Sequence, residues 1–298
     1  MQQPDNDDGA REGYALVVGE SLVDVVLDRA GVTTERPGGS AANVAVALAR
    51  LGRPVRFATA YADDERGRAI AEHLAGSGVD HATDPHVLER TSSAVATIGE
   101  SGAASYVFDL EWHLGPVDLT ITPAYVHVCS LGAVVEPGAD EVVALLDRVG
   151  TATITYDVNA RPAITGTGAD VVARVEAVAR RSHLVKASDE DLEALYPHLD
   201  LAGAAAHLLS LGPRAIVVTR GEDGSTWFDG DGAISAPVRA TTVVDTIGAG
   251  DTFSAGIIDA LWDGLDPAAT LAHAARAAAV TVSRPGADPP TRADLSAS

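Results

Sequence analysis

Residues 14–19 read YALVVG, an uninterrupted apolar run that ends on a glycine. A strand without polar alternation is typical of a parallel sheet, where both of its faces are buried. Five similar runs follow along the chain, at residues 54–59, 125–130, 153–157, 183–186 and 215–219. Ala-rich stretches typical of helices separate and follow these runs, at 40–51, 66–77, 139–149, 169–181, 189–196, 201–210, 248–263 and 267–283. The alternation predicts a three-layer, doubly wound α/β fold with a mostly parallel sheet.

Two β-rich segments interrupt this alternation, at residues 21–35 and 91–114, and neither contains a predicted helix. We expect them to form a small antiparallel sheet that projects from the main body as a β lid. The chain then divides into a disordered tail at 1–13, one α/β domain at 14–290 that includes the lid, and a second tail at 291–298.

The composition excludes several classes of protein. The chain has 298 residues, 46% of them hydrophobic, which is ample for a large core. Its one cysteine, Cys129, excludes an internal disulfide framework. No run of about 18 uncharged apolar residues is present, and residues 1–12 are polar and acidic, unlike a signal peptide. We therefore expect a cytoplasmic protein that has no membrane partner.

The charge balance bears on the kind of ligand. Lys and Arg number 21 against 42 Asp and Glu, so the formal net charge is −21. Such a chain repels nucleic acid, and no cluster of basic residues offsets this repulsion, so no nucleic-acid partner is expected. An anionic ligand must instead be held by a local device, such as backbone N–H groups, a helix N-terminus, a metal or a single arginine.

The most informative motif is DTIGAGDTFSAG, at residues 245–256. Gly248 and Gly250 leave backbone N–H groups uncovered by side chains, and a predicted helix begins at the same point. This combination predicts an anion cradle. Asp251 within it repels phosphate, which makes sense if its carboxylate accepts a proton from an attacking hydroxyl beside the anion. The alternative role for Asp251 is a helix cap.

A second motif, GGSAANVAVALARLG, spans residues 38–52. Gly38 and Gly39 allow a ligand to approach the backbone closely, and Asn43 on the first helical turn offers a donor and an acceptor to a hydroxyl. Asp24 lies just beyond the end of the first strand, where open α/β sheets place ligand contacts. The alternatives are a tight turn before a closely packed helix and, for Asp24, an exposed loop acid.

Two further motifs follow predicted strands. TRGEDG, at residues 219–224, places glycines where a phosphate could approach the backbone, although a plain β-turn explains them as well. DVNARP, at residues 157–162, contains Arg161, whose guanidinium could hold a phosphate or a carboxylate. The alternative for Arg161 is a structural ion pair.

Together these motifs resemble those of the ribokinase-like (PfkB) carbohydrate kinase family, in the family's order and over essentially the whole chain. The segment RPGADPP, at residues 284–290, is similar to the C-terminus of fructokinases. The resemblance implies an ATP-dependent sugar kinase that transfers the γ-phosphoryl group to a sugar hydroxyl, with D-fructose as the first choice of acceptor. 2-Keto-3-deoxygluconate, ribose and a nucleoside are the alternative acceptors. A non-catalytic sugar sensor is the alternative to an enzyme.

The resemblance also implies roles for individual residues. Asp251 matches the catalytic base. The matches to the anion hole over the transferred phosphoryl group are Gly248, Ala249 and Gly250. The matches to sugar contacts are Asp24, Gly38, Gly39, Asn43 and Arg161. The matches to the nucleotide-phosphate loop are Thr219, Gly221 and Gly224.

The cofactors that the resemblance implies are ATP, Mg²⁺ and K⁺. Mg²⁺ would bridge ATP phosphates largely through water, with Ser188 and Asp191 where relatives carry an Asn-x-x-Glu motif. Asp245 matches the acid beside a monovalent-cation site, which relatives complete with backbone carbonyls, here near Ile247 and within 282–290. The resemblance also implies a homodimer through the β lid.

Overall fold

The computed structural model describes residues 13–27, 31–98, 104–239 and 241–297. Almost all of the predicted N-terminal tail lies outside these ranges. Within them, no helix combines the length and the apolar character that crossing a membrane requires.

The strands belong to two sheets, and the elements are numbered here in chain order. The strands are β1 (Ala15–Val18), β2 (Leu22–Leu27), β3 (Thr33–Gly38), β4 (Val55–Ala58), β5 (Asp80–His81), β6 (Ser93–Ile98), β7 (Ala104–Asp109), β8 (Tyr125–Cys129), β9 (Thr153–Asp157), β10 (Leu184–Ser188), β11 (Ala215–Thr219), β12 (Ser225–Asp229) and β13 (Gly232–Ala236). The helices are α1 (Ser40–Arg50), α2 (Glu65–Gly76), α3 (Gly138–Leu146), α4 (Pro162–Thr165), α5 (Ala169–Ala179), α6 (Asp189–Leu195), α7 (Leu201–Ser210), α8 (Ala249–Trp262), α9 (Pro267–Val282) and α10 (Arg292–Ala297). Two 3₁₀ turns lie at Ser130–Ala133 and Gly221–Asp223.

Among the described residues, the main sheet has nine strands in the order β13-β12-β11-β10-β9-β8-β1-β4-β5. The strands from β5 to β11 pair in parallel, whereas β12 and β13 are antiparallel. The predicted doubly wound, mostly parallel sheet is therefore confirmed. The sequence does not predict the β12–β13 hairpin, because β13 is largely exposed and lacks an apolar period. The chain turns to opposite sides of the sheet at β1, and ligands of open α/β sheets bind at the carboxyl edge beside such a switch.

Helices cover both faces of the main sheet and make three layers. On one face, α3, α5, α6 and α7 pack against the sheet in a single apolar cluster that includes Leu16 and Val185. On the other face, α1, α2 and α8 pack around Phe57, and α9 lies against α8. Almost every residue of α8 is buried, because its small and apolar side chains contact the sheet, α1 and α9. The N-terminus of α8 is consequently held in one position.

The smaller sheet, which we call the lid, has the strand order β3-β2-β6-β7. Strands β2 and β6 pair in parallel, so the expectation of a purely antiparallel lid is corrected; the β2–β3 and β6–β7 pairs are antiparallel. Val23 and Val25 of β2 are buried in the core against α1 and α8, whereas Asp24 between them is exposed. One face of the lid therefore packs on the body, and the other stays open.

The second lid segment is shorter than the sequence predicts. Strand β7 ends at Asp109, whereas the prediction extends the lid to residue 114. Trp112 is 2% exposed in the core, and its Nε1 donates to the carbonyl oxygen of Gly132 at 3.1 Å. Residues 110–114 thus connect the lid to the body. The homodimer through the lid stays a prediction.

The expectation of a loose tail at 291–298 is also corrected. Residues Arg292–Ala297 form α10, and Leu295 is 3% exposed against Leu51. The Arg292 guanidinium donates to the buried carboxylate of Asp259 at 2.6 Å. The sequence does not predict this helix because it is short and buries only one leucine. The residue that pairs with Arg292, Asp259, also lies far away in the chain.

The closest contact between α8 and α9 yields a stability prediction. A Cβ at Gly256 would lie 2.7 Å from the Cα of Ala274. We expect Gly256→Ala to force the helices apart and to lower the free energy of unfolding by about 1–3 kcal/mol, the usual cost of overpacking. Urea unfolding measures this change.

Gly76, at the end of α2, supplies the matched control, because a Cβ there meets nothing within 4 Å. Gly76→Ala should leave stability unchanged or raise it by up to about 1 kcal/mol, the helix preference of alanine over glycine. Equal effects of the two substitutions would contradict the close packing of α8 on α9.

Candidate active site

Two helices begin at the carboxyl edge of the main sheet. Gly39 precedes α1, and Gly248 precedes α8, so both glycine motifs reach the same edge. Because α1 and α8 pack side by side, their first turns are neighbours. The structure thereby brings together two motifs that the sequence places about 200 residues apart.

Asp251 lies where these first turns meet and is 7% exposed. Its Oδ1 accepts a hydrogen bond from Ser40 Oγ at 2.6 Å, and its Oδ2 accepts one from Asn43 Nδ2 at 2.8 Å. Asn159 Nδ2 donates to Ser40 Oγ at 2.8 Å and lies 3.5 Å from Asp251 Oδ1. The side chain is directed at α1 rather than at its own helix end, which rules out the alternative role as a cap.

Burial raises the pKa of Asp251, and the hydrogen bonds from Ser40 and Asn43 lower it in part. The nearby carboxylate of Asp157 raises the pKa further, and the ammonium group of Lys186 lowers it. The net effect is a pKa above the usual range for aspartate. A carboxylate with a raised pKa is a stronger proton acceptor, which suits a general base.

The cradle predicted at 248–250 is formed by the start of α8. Gly248 has φ 75° in the left-handed region, and a Cβ there would lie 2.7 Å from the Cβ of Ala287. Glycine therefore fits where other residues would be strained and crowded. The first backbone N–H groups of a helix have no partner within the helix and carry its positive dipole end. The start of α8 thus offers partial positive charge to an anion, although the N–H group of Ala249 already donates to the carbonyl oxygen of Thr246 at 3.2 Å.

A buried ion pair lies beneath the cradle, and the sequence analysis assigned it no role. Lys186 Nζ donates to Asp157 Oδ2 at 3.0 Å, and Ser254 Oγ donates to the same oxygen at 2.8 Å. A Cβ at Gly250 would lie 3.3 Å from Lys186 Nζ, so the ammonium group sits directly behind the cradle. Charged residues within two otherwise apolar strands are the signal that could have identified this pair.

Glu20 is a second functional candidate that the sequence analysis left without a role. It is 6% exposed; Oε1 accepts from Ser40 N at 3.2 Å, and Oε2 accepts from Gly132 N at 2.9 Å. Burial raises its pKa to about 7, although the backbone hydrogen bonds and the Arg161 charge oppose the rise. Glu20 ties the start of α1 to the turn after β8, and so helps to fix Ser40 beside Asp251.

The residues predicted to contact a sugar surround the open face of the lid. Asp24 on β2 is exposed and lies over Gly38, where a Cβ would approach its Oδ2 to 2.3 Å. Partial enclosure raises the pKa of Asp24, and the charge of Arg161 lowers it. Gly39 follows the end of β3, so Asp24 and the start of α1 lie beside each other, at the cleft in which the sugar is predicted to bind. Asn43 differs from the expectation, because its amide also supports Asp251.

Among the described residues Arg161 forms no salt bridge, so the structural ion pair that was its alternative role is not seen there. Its Nη1 donates to Asn159 Oδ1 at 2.7 Å and to the carbonyl oxygen of Ala160 at 3.0 Å. Both acceptors are uncharged. The guanidinium lies near enough to Asp24 and Glu20 to lower the pKa of each.

The predicted nucleotide-phosphate loop lies further along the same edge, after β11. Thr219 ends the strand, and the turn that begins at Gly221 is closed by a hydrogen bond from Arg220 N to the carbonyl oxygen of Gly224 at 2.8 Å. Gly224 packs against the end of β13. Strands β9 and β10 lie between β8 and the strand that carries this loop. The phosphate role of the loop stays a prediction.

The predicted metal residues hold backbone groups. Ser188 and Asp191 form a capping box at the start of α6, and Asp191 Oδ1 also accepts from Ala160 N at 2.8 Å. Asp245 Oδ1 accepts from Ile247 N at 3.0 Å. Their metal roles stay predictions, since among the described residues no group of three or more His, Cys, Asp or Glu side chains could hold a metal ion.

A second acceptor bond shows what Asp245 does within the fold. Its Oδ2 accepts from Gly286 N at 2.8 Å, so the carboxylate joins the cradle loop to the segment after α9. These backbone hydrogen bonds, chiefly the one from Ile247, lower the pKa of Asp245. The carboxylate therefore remains charged beside the cradle.

A doubly wound sheet with a lid, and a buried carboxylate beside a glycine-rich helix start, are features expected of a phosphotransferase. The model of the pfkB family carbohydrate kinases matches residues 13–294, and the chain belongs to this family.

Curated and solved relatives agree with this assignment. A fructokinase from Rhizobium leguminosarum bv. trifolii is 35% identical over 260 residues, which cover 83% of this chain and 79% of that protein. The structure of a fructokinase from Vibrio cholerae O395, with fructose, ADP and calcium ion bound, has a TM-score of 0.79 at 26% identity and covers 96% of this chain and 98% of its own. An aminoimidazole riboside kinase from Salmonella enterica, bound to its riboside and an ATP analogue, has a TM-score of 0.79 at 25% identity, covering 95% and 99%.

Ser40 provides a prediction about the base. Ser40→Ala removes a donor that lowers the pKa of Asp251, so the carboxylate should protonate at higher pH. Because Asp251 accepts a proton only when ionised, the acid limb of the kcat/KM profile should move to higher pH. The pH–rate profile measures this shift.

The matched control is Ser182→Ala. Ser182 Oγ is also buried and donates to the carbonyl oxygen of Val178 at 2.9 Å, but it lies after α5, away from Asp251. This variant should keep the wild-type acid limb. An unshifted limb in Ser40→Ala would contradict the role of Ser40 in positioning a charged Asp251.

Proposed function

We propose that this carbohydrate kinase transfers the γ-phosphoryl group of MgATP to a hydroxyl of a ketohexose, with D-fructose as the preferred acceptor. The observation that carries the proposal is the position of Asp251. Asp251 lies on the first turn of α8, the helix that forms the anion cradle. Its buried carboxylate accepts hydrogen bonds from Ser40 and Asn43 of α1. A proton acceptor beside an anion site is what phosphoryl transfer to a hydroxyl requires.

In the proposed reaction, the acceptor hydroxyl oxygen attacks the γ-phosphorus while its proton passes to a carboxylate oxygen of Asp251. The bond from the γ-phosphorus to the bridging oxygen breaks, and ADP leaves with that electron pair. Backbone N–H groups at 248–250 and the dipole of α8 stabilise the charge on the transferred group. Asp251 returns its proton to solvent as the product leaves.

Mg²⁺ suits the described residues, among which no group of three or more His, Cys, Asp or Glu side chains could form a metal cage. When bound with ATP it would neutralise phosphate charge, and it would need only one or two protein carboxylates. Asp191 is the carboxylate proposed here, with Ser188 beside it. The backbone N–H groups of Ala160 and Ser188 donate to the two carboxylate oxygens of Asp191 and fix its orientation. We therefore propose that Asp191 contacts metal-bound water rather than the ion itself.

Two features support a ketohexose as acceptor. Asp24 and Asn43 supply acceptors and donors on either side of the cleft, and a site that bonds several hydroxyls rejects analogues that lack one of them. Only 4% of residues are aromatic, which disfavours a stacked purine or imidazole base. The similarity to the Rhizobium fructokinase points in the same direction.

Arg161 favours one second candidate, 2-keto-3-deoxygluconate. The described hydrogen bonds of its guanidinium go to uncharged oxygens of Asn159 and Ala160. The carboxylate of a sugar acid would form a charge-assisted pair with it. Arg161 also lies beside Asp24, on the side of the cleft where the acceptor is proposed to bind.

The direct test compares kcat/KM for fructose, 2-keto-3-deoxygluconate, ribose, aminoimidazole riboside, adenosine and glucose at fixed MgATP. Fructose should give the highest value. A preference of about tenfold or more for another acceptor, equivalent to about 1.4 kcal/mol, would overturn fructose and leave the kinase standing. If the protein phosphorylates none of these acceptors, the alternative of a non-catalytic sugar sensor is favoured.

Removal of the base is the second prediction for this activity. Asp251→Asn preserves the shape of the side chain and removes its basicity, so kcat should fall by about 10²–10⁴, the usual contribution of a general base. Sugar binding should remain. Asp263→Asn, at the opposite end of α8 and half-exposed, makes the same chemical change and should stay near wild type. An Asp251→Asn variant with more than about a tenth of wild-type kcat would contradict the assignment.

The monovalent cation gives a third prediction. Asp245 and nearby carbonyls are proposed to hold K⁺ next to the cradle, because the carboxylate already joins residues 247 and 286 there. Activity should rise when K⁺ replaces tetramethylammonium at constant ionic strength, and Asp245→Ala should abolish the rise. If K⁺ does not change the activity of the wild-type enzyme, the proposed cation site at Asp245 is wrong.

A further inference from the structure

The phosphate groups of a nucleotide must be neutralised within a chain of net charge −21. Two cations described above have other partners or proposed roles: Lys186 donates to the carboxylate of Asp157, and Arg161 is proposed to face the acceptor beside Asp24. A third cation, Arg36, lies near the end of lid strand β3 and is exposed. Neither the sequence motifs nor the proposed function gives it a role.

Arg36 touches the loop that supports the cradle. A Cβ at Gly286 would lie 3.3 Å from Arg36 Nη1. The N–H group of Gly286 is bonded to Asp245 at 2.8 Å, and the next residue, Ala287, packs against Gly248. The guanidinium therefore lies beside the segment that packs against the start of α8.

The same guanidinium lies beside the cradle loop, because Gly286, which it approaches, donates its N–H group to the carboxylate of Asp245. An arginine side chain that reaches from the lid to this segment lies between the lid and the cradle.

The register of the lid sets the direction of the side chain. Arg36 is the cross-strand partner of Asp24, and Asp24 is the partner of Ala94 on β6. Directly opposed residues of neighbouring strands share one face of a sheet. Val23 and Val25 occupy the buried face, so Arg36 and Asp24 share the open face. The acceptor cleft thus has an acid and, on the side nearest the cradle, an arginine.

We propose that Arg36 is a catalytic residue: with the lid closed over the acceptor, its guanidinium contacts the transferred phosphoryl group. This inference rests on the proposed kinase function. As the γ-phosphorus moves from the bridging oxygen of ATP to the acceptor oxygen, the acceptor proton goes to Asp251, and Arg36 takes no part in the proton transfer. Arginine suits this role because its planar fork of donors bonds two phosphoryl oxygens at once.

The test compares Arg36→Gln with Arg90→Gln. Arg90 is an exposed arginine, 3.4 Å from Asp109 of lid strand β7, so its loss removes the same charge from the same region. Arg36→Gln should lower kcat at saturating acceptor and MgATP by about 100-fold or more, the usual effect of removing a donor to transition-state charge. Arg90→Gln should stay within about twofold of wild type. Arg36→Lys, which keeps the charge and loses the fork, should fall between them.

A second readout separates catalysis from support of the loop. MgADP with aluminium fluoride mimics the phosphoryl group in transfer, and in the presence of acceptor it should inhibit the wild type more strongly than MgADP does. Arg36→Gln and Arg36→Lys should bind MgADP normally and lose most of this extra inhibition. This pattern would not arise if Arg36 only held the loop at Gly286.

Two results would overturn the inference while the kinase function stands. One is an Arg36→Gln variant whose kcat is within about threefold of Arg90→Gln. The other is an equal loss of MgADP binding and of aluminium fluoride inhibition in the Arg36 variants. A wild-type enzyme that phosphorylates no acceptor would instead overturn the proposed function, and the inference with it.

Discussion

The hydrogen bonds from Ser40 and Asn43 to Asp251 are the interaction on which the rest of the site depends. They join residues 211 and 208 positions apart in the chain. A carboxylate that is 7% exposed needs such partners, because burial without hydrogen bonds is costly. The partners exist only if α1 and α8 both begin at the same edge of the sheet. The fold that brings these two helix starts together is therefore also what gives Asp251 its hydrogen-bond partners.

The same edge concentrates charge in a way that serves the site more than stability. Lys186 and Asp157 are buried directly behind the cradle, and buried ion pairs contribute little net stability once desolvation is counted. Their value lies in position: the ammonium group faces the backbone of Gly250, and the pair borders Asp251. Glu20 is a further buried ionisable group here, and it links the start of α1 to the turn after β8 through Ser40 and Gly132. The protein thus keeps several buried ionisable groups, which are costly to desolvate, in the region proposed to bind phosphate.

The parts of this structure that local sequence determines were predictable. Apolar runs such as residues 14–19 specify buried parallel strands, and the glycines at 248 and 250 specify a helix start that is open to an anion. Pairings between distant residues were not predictable. No local pattern shows that Asn43 supports Asp251, that the lid strands β2 and β6 run parallel, or that α10 is anchored by Asp259. Each depends on tertiary contacts, which single-sequence patterns do not contain.

Asp251 is proposed to stand between the acceptor hydroxyl and the γ-phosphoryl group. The structure of a ternary complex with acceptor, Mg²⁺ and a non-hydrolysable ATP analogue would show whether it does. We expect one acceptor hydroxyl within about 2.6–3.2 Å of an Asp251 carboxylate oxygen. We also expect the γ-phosphoryl group against the N–H groups at 248–250. A reactive hydroxyl that contacts Asp24 instead, with the phosphoryl group away from α8, would rule out Asp251 as the base.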